Sequence, residues 1–128
     1  MMETTSKTKT YDLQERFIAF AISTIDLVAG LDGSKISSHL GGQLLRSGTA
    51  PALLYAEATG AESRKDFVHK TRILNKELRE SSVCMTILSR ANKIRSDDPI
   101  HQECKELIAI TTKSIQTATK NLIRMTDK

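Results

Sequence analysis

The sequence predicts an all-α fold, an up-down-up-down antiparallel four-helix bundle. Three observations carry the prediction. Only two Pro and six Gly interrupt 128 residues, few breakers for a chain of many turns. Aromatics make up 4% and Trp is absent, so a core must be built from Leu, Ile, Val, Met and Ala. Apolar residues recur at helical spacing in four segments, and short turn signals separate them. The length fits one domain. Residues 11–128 are expected to form the bundle. Residues 1–10 are polar, Thr/Lys-rich and aperiodic, and are expected to be a disordered tail.

The first helix is expected over Leu13–Ala29. Leu13, Phe17, Phe20, Thr24, Leu27 and Leu31 form one stripe, and Ile18, Ile22 and Ile25 form a second on another face. A helix apolar on two faces needs two partners. One is the monomer's own core; the other is a neighbouring subunit, or the two stripes form one wide buried face.

Leu31–Lys35 reads as a turn, and a second helix follows from about Ser37 to Thr59. Ile36, Leu40, Leu44, Pro51, Leu54, Tyr55 and Ala58 mark its inner side. Pro51 removes one hydrogen bond to the Ser47 carbonyl. The apolar pattern resumes in phase beyond it, which predicts a kink rather than a stop. The small residues Ser47, Gly48, Thr49 and Ala50 permit close approach of another backbone. Gly60 stops the helix, and Ser63 with Asp66 reads as the capping box of the next one. So short a gap forces an antiparallel pair.

The third helix is expected from Arg64 to about Arg95, with Phe67, Thr71, Leu74, Leu78, Ser81, Met85 and Leu88 stepping by four and three. It would be about 48 Å long, and its far end should overhang its neighbours. Asp98 before Pro99 restarts the chain. The fourth helix is expected from Pro99 to about Met125, with Ile100, Cys104, Leu107, Thr111, Ile115, Ala118, Leu122 and Met125 as its stripe. Its centre is rich in Thr and Ser.

Residue chemistry gives little support to catalysis, and no catalytic residue or cofactor is expected. Gly41-Gly42-Gln43-Leu44 lacks the ending of a phosphate loop. Di-iron bundles need Glu-x-x-His on two helices, and no Glu here has a His three positions on. Glu77-x-x-Glu80 and Glu103-x-x-Glu106 read as solvated helix surface. His101 and Cys104 share a face but have no second pair of ligands, so no metal is expected. His39 and His69 read as surface residues.

Cys84 and Cys104 would be offset by about 9 Å on neighbouring helices, too far for a disulfide. They read as buried thiols in a reducing compartment. Asp26 inside Phe17–Leu31 argues against a signal peptide. No apolar run approaches the ~18 residues of a membrane span.

Charge carries the strongest functional pattern. Net charge is +4 and the pI about 9.2, compatible with a polyanion partner. Lys65, His69, Arg72, Lys76, Arg79, Val83, Thr86, Arg90 and Lys93 follow one line on the third helix, opposite Phe67 and Leu74. From residue 63 to 95 there are nine Lys/Arg against three Asp/Glu. Such a ridge, about 40 Å long, either tracks a phosphate backbone or is a solvated helix back. Lys65, Arg72, Lys76, Arg79, Arg90 and Lys93 are the candidate contacts. No aromatic interleaves them, so base stacking is not expected. Arg46 and Glu57 share a face of the second helix three turns apart; each is expected to pair across to a neighbouring helix, as Glu57 with Lys70, or to serve a ligand.

Leu44-Leu45-Arg46-Ser47-Gly48-Thr49, Tyr55-Ala56-Glu57-Ala58, Ser63 through Lys70 and Lys76-Glu77 together resemble the four-helix-bundle family of 23S rRNA intervening-sequence proteins. That family also carries an older ribosomal-protein label. The match is dense over about 40 residues.

The resemblance implies a bacterial, cytoplasmic protein that assembles as a homopentamer. It also implies kinship with accessory proteins of diversity-generating retroelements, basic pentamers that bind nucleic acid and a reverse transcriptase. The family's own biochemical role is unsettled. Ala50-Pro51-Ala52-Leu53-Leu54 replaces the family's Gly- and Asn-containing run, and Val83-Cys84-Met85 replaces its aromatics. Both departures fall on packing surfaces and bear on subunit geometry.

The expected function is therefore binding of RNA or DNA by a non-enzymatic homo-oligomer. The alternative is a scaffold whose exposed third-helix end docks a protein such as a reverse transcriptase.

Overall fold

Four helices alternate in direction: α1 (Leu13–Ala29), α2 (Lys35–Thr59), α3 (Arg64–Arg90) and α4 (Pro99–Thr126). The structure, a computed structural model, describes residues 13–126, with side chains through Arg124. The expected tail and the Met125 side chain lie outside the described residues. Each helix packs on its neighbour in sequence, and α4 closes back more sparsely on α1. This is the up-down-up-down bundle that the apolar stripes predict.

The core is aliphatic with two aromatic anchors. Phe17, Phe20, Leu44, Leu74, Leu78, Met85, Leu88, Cys104 and Leu107 are fully buried. Each large side chain so buried stabilises the fold by about 1.5–3 kcal/mol. Phe17 also meets Tyr55 with ring centroids 5.2 Å apart in a tilted pair.

α1 approaches α2 closely at Gly48. A Cβ at Gly48 would lie 2.6 Å from the Thr24 side chain, so only Gly fits. Thr24 returns its hydroxyl to the Phe20 carbonyl at 2.8 Å, and its methyl and hydroxyl lie equally close to Gly48. Pro51 is buried, and α2 runs through it without a break.

The helix ends follow local chemistry. Ser34 caps α2 by accepting from Ser37 N–H at 3.2 Å. Ser63 caps α3 by accepting from Asp66 N–H at 3.0 Å. Asp98 accepts from Ile100 N–H at 3.0 Å and opens α4 at Pro99.

Three expectations are corrected. Ile36 does not face inward: it is 60% exposed, and Ser37 takes the buried position. α2 starts at Lys35, two residues before the expected Ser37, because the Ser34 hydroxyl caps it. Gly60 ends α2 as expected, with φ −94°.

The third correction matters most for function. α3 stops at Arg90, not Arg95. Asn92 takes φ 61°, a conformation Asn tolerates better than most residues. Asn92 N–H then bonds the Ser89 carbonyl at 3.0 Å and Lys93 N–H the Leu88 carbonyl at 2.8 Å. That pair of bonds is a Schellman stop. The helical end expected to dock a partner is therefore five residues shorter than the sequence suggests.

Candidate nucleic-acid interface

The outward row of α3 carries Lys65, Arg72, Lys76, Arg79 and Arg90, all exposed. They span about 37 Å of helix at ~1.5 Å per residue. Lys93 leaves the row because the helix has ended. It is half-buried, and its Nζ lies 3.0 Å from Asp32 of the α1–α2 turn. Hydrogen bonds from Ser34 and Lys93 hold the Asp32 carboxyl well below the usual carboxylate range.

The row stays cationic because nearby acids are engaged elsewhere. Arg46 Nη1 lies 3.1 Å from Glu77, and Nη2 pairs with Glu80. On the far side of the bundle, Arg16 donates to Glu103 at 2.7 and 3.1 Å and to Glu106 at 3.3 Å. These contacts push the Arg16 pKa up, chiefly through the hydrogen bond to Glu103. Each Glu-x-x-Glu pair thus lies at the bundle surface, as expected, and also engages an arginine of an adjacent helix. Lys70 Nζ lies 2.7 Å from Glu57, which raises the lysine pKa. No salt bridge engages Lys65, Arg72, Lys76, Arg79 or Arg90 among the described residues.

The basic row leans toward α4. Exposed Lys105 on α4 adds a charge that sequence reading missed, close enough to His101 to lower its pKa together with the larger effect of burial. His101 Nε2 sits 3.4 Å from both the Ser82 and Thr86 hydroxyls of α3. Cys104 on the same face also meets α3, where its thiol donates to the Leu78 carbonyl at 3.3 Å. Burial pushes the Cys104 pKa up to about 12. No cluster of three or more His, Cys, Asp or Glu among the described residues could hold a metal ion.

A further residue missed from sequence is Asn75, which is 8% exposed. Its side-chain nitrogen lies 2.7 Å from Thr111 Oγ1, 3.1 Å from Thr112 Oγ1 and 3.3 Å from the Ile108 carbonyl. Its oxygen accepts from Arg79 Nε at 2.8 Å. The Thr-rich centre of α4 thus serves a polar bridge to the basic row. The available signal was an Asn four residues before an Arg, beside the Leu74 and Leu78 core positions.

The second stripe of α1 is exposed: Ile18 is 40%, Ile22 53% and Ile25 44% accessible. It is not a widened core face. An open groove of about 680 Å³ lies at the α2–α3 turn beside α4. Phe67, Ala58, Ala118 and hydroxyl side chains line it, with Glu62 and Arg64 as its charged residues. No helix among the described residues is long and apolar enough to cross a membrane.

Comparison with known proteins adds one relative. A solved structure from Bacteroides thetaiotaomicron VPI-5482, a protein of unknown function from the S23 ribosomal protein family, superposes with a TM-score of 0.75 at 27% identity. The match covers 80% of this chain and 96% of that one. The chain is a distant homologue of that S23 family protein. The family resemblance read from Leu44 to Glu77 is thereby borne out. No protein-family model matches the chain, and no curated protein does.

Proposed function

We propose that the protein is a non-catalytic, self-assembling bundle that binds the phosphate backbone of RNA or DNA along the outer face of α3. The observation that carries this reading is the row of Lys65, Arg72, Lys76, Arg79 and Arg90, exposed and without salt bridges among the described residues, while Arg46 takes up Glu77 and Glu80 beside it. A row of cations without aromatics neutralises phosphates and reads little sequence. The exposed isoleucines of α1 cover one another between copies, and the family resemblance supports a homopentamer in the bacterial cytoplasm. Repeating the basic row around a ring multiplies its affinity through avidity.

The test is binding of a labelled structured RNA and a labelled duplex DNA at increasing salt. Charge reversal of Arg72, Lys76 and Arg79 should remove binding. Failure of the unmutated protein to bind either in low salt ends the proposal. A second reading, docking of a protein such as a reverse transcriptase, is supported by Val83 and Ile87. They are 60% and 45% exposed beside the groove holding His39, Gln43 and Arg46. A protein retained at high salt favours it.

A further inference from the structure

We infer that Arg79 is the anchoring phosphate contact of the α3 face and that Asn75 is its positioning residue. The inference rests on the phosphate-backbone reading above and adds an unequal division of labour among the cations.

The argument starts inside the bundle. The Ile108 carbonyl can only accept, so the part of Asn75 that faces it must be the NH2. Thr111 donates its own hydroxyl to the Leu107 carbonyl at 2.9 Å, so it too meets Asn75 with a lone pair. A flipped amide would set oxygen against the Ile108 carbonyl and lose these bonds. The Asn75 oxygen is therefore fixed pointing outward, where Arg79 Nε donates to it at 2.8 Å.

With Nε held, the plane of the guanidinium is set. The two terminal nitrogens remain as a fork toward solvent, the geometry that grips a phosphate with two parallel hydrogen bonds. Arg72, Lys76, Lys65 and Arg90 have no such holder among the described residues. They must give up side-chain freedom on binding, and Arg79 has already given up much of it.

The experiment is a titration of a labelled RNA hairpin with the full chain at fixed low salt, with inorganic phosphate as competitor. Arg79→Ala and Arg79→Lys should both weaken binding about tenfold, because Lys cannot reproduce the fork. Arg72→Lys should stay within about twofold, since a mobile point charge is replaced by another. Asn75→Ala should weaken binding about threefold with the salt slope unchanged, whereas Arg79→Ala should reduce the slope by about one phosphate. The Asn75→Ala loss should vanish in the Arg79→Lys background.

Arg79 is exposed, so its variants read out binding even if Asn75→Ala does not fold. Competition by millimolar inorganic phosphate that Arg79→Lys abolishes would show that a free phosphate suffices. Its absence would show that the polymer backbone is required, and either result keeps Arg79 as the anchor. Equal effects of Arg79→Lys and Arg72→Lys overturn the inference alone. A complete lack of RNA binding by the unmutated chain overturns the function it rests on as well.

Discussion

The outer faces of α1 and α3 make an instructive pair. Both are backs of helices in the same bundle, turned away from the same core. That of α1 presents Ile18, Ile22 and Ile25, and that of α3 presents Lys65, Arg72, Lys76, Arg79 and Arg90. Core packing requires neither surface. An exposed apolar stripe gains by meeting apolar surface, and a cationic row gains by meeting phosphate. Under the proposed function, self-association would use one side of the molecule and the polyanion the other.

Charge reversal of Arg72, Lys76 and Arg79 should have the largest effect, lowering RNA affinity about 100-fold or more at low salt, with the light-scattering mass unchanged. Loss of assembly in that variant would break the separation of the two faces. Ile22→Glu should act in the opposite sense. Its light-scattering mass should fall to one chain, the far-UV spectrum should stay helical, and RNA affinity should drop through lost avidity alone.

Gly48→Val should damage both faces together, because it wedges α1 from α2 at Thr24. An overpacked site of this kind costs about 1–3 kcal/mol, read as a lower urea midpoint. Arg46→Ala should cost under about 1 kcal/mol of stability, as exposed pairs do. It should still weaken RNA binding several-fold, because Glu77 and Glu80 would then face the basic row unneutralised.

The smallest effect is a pH dependence. Burial first, then Lys105, lowers the His101 pKa, so the unfolded chain takes up the proton more readily. Stability from this residue is present above the ordinary histidine value of about 6.5 and is lost as pH falls through the folded value. His101→Gln should remove that acid-side loss in urea midpoints measured from pH 7.5 to 5.

Much of the bundle was legible because periodicity reports burial directly. Phe17, Leu44, Leu78 and Leu107 all fall on the stripes their spacing draws. Ser63 and Asp98 mark helix starts because their side chains answer unsatisfied backbone N–H groups.

The misses have physical causes. Ile36 is more apolar than Ser37, but the neighbouring turn decides which of the two faces inward. Asn92 ended α3 in mid-pattern, because a positive φ available to Asn outweighed the four-three line of charges that continued to Lys93. The arginine partners of the Glu-x-x-Glu pairs stayed hidden because they depend on which side chain an adjacent helix sets opposite. Asn75 was hidden for the same reason, since its partners Thr111, Thr112 and Arg79 meet only after α3 and α4 have packed.

The most direct test is the salt dependence of RNA binding by the unmutated chain, followed by fluorescence anisotropy from 25 to 300 mM KCl. Four to five cations on one α3 face predict a linear log–log plot with a slope of roughly −3 to −4, at about 0.7–0.9 per phosphate neutralised. Absence of binding at 25 mM, or an affinity that does not change with salt, would contradict the assignment of the α3 face to a phosphate backbone.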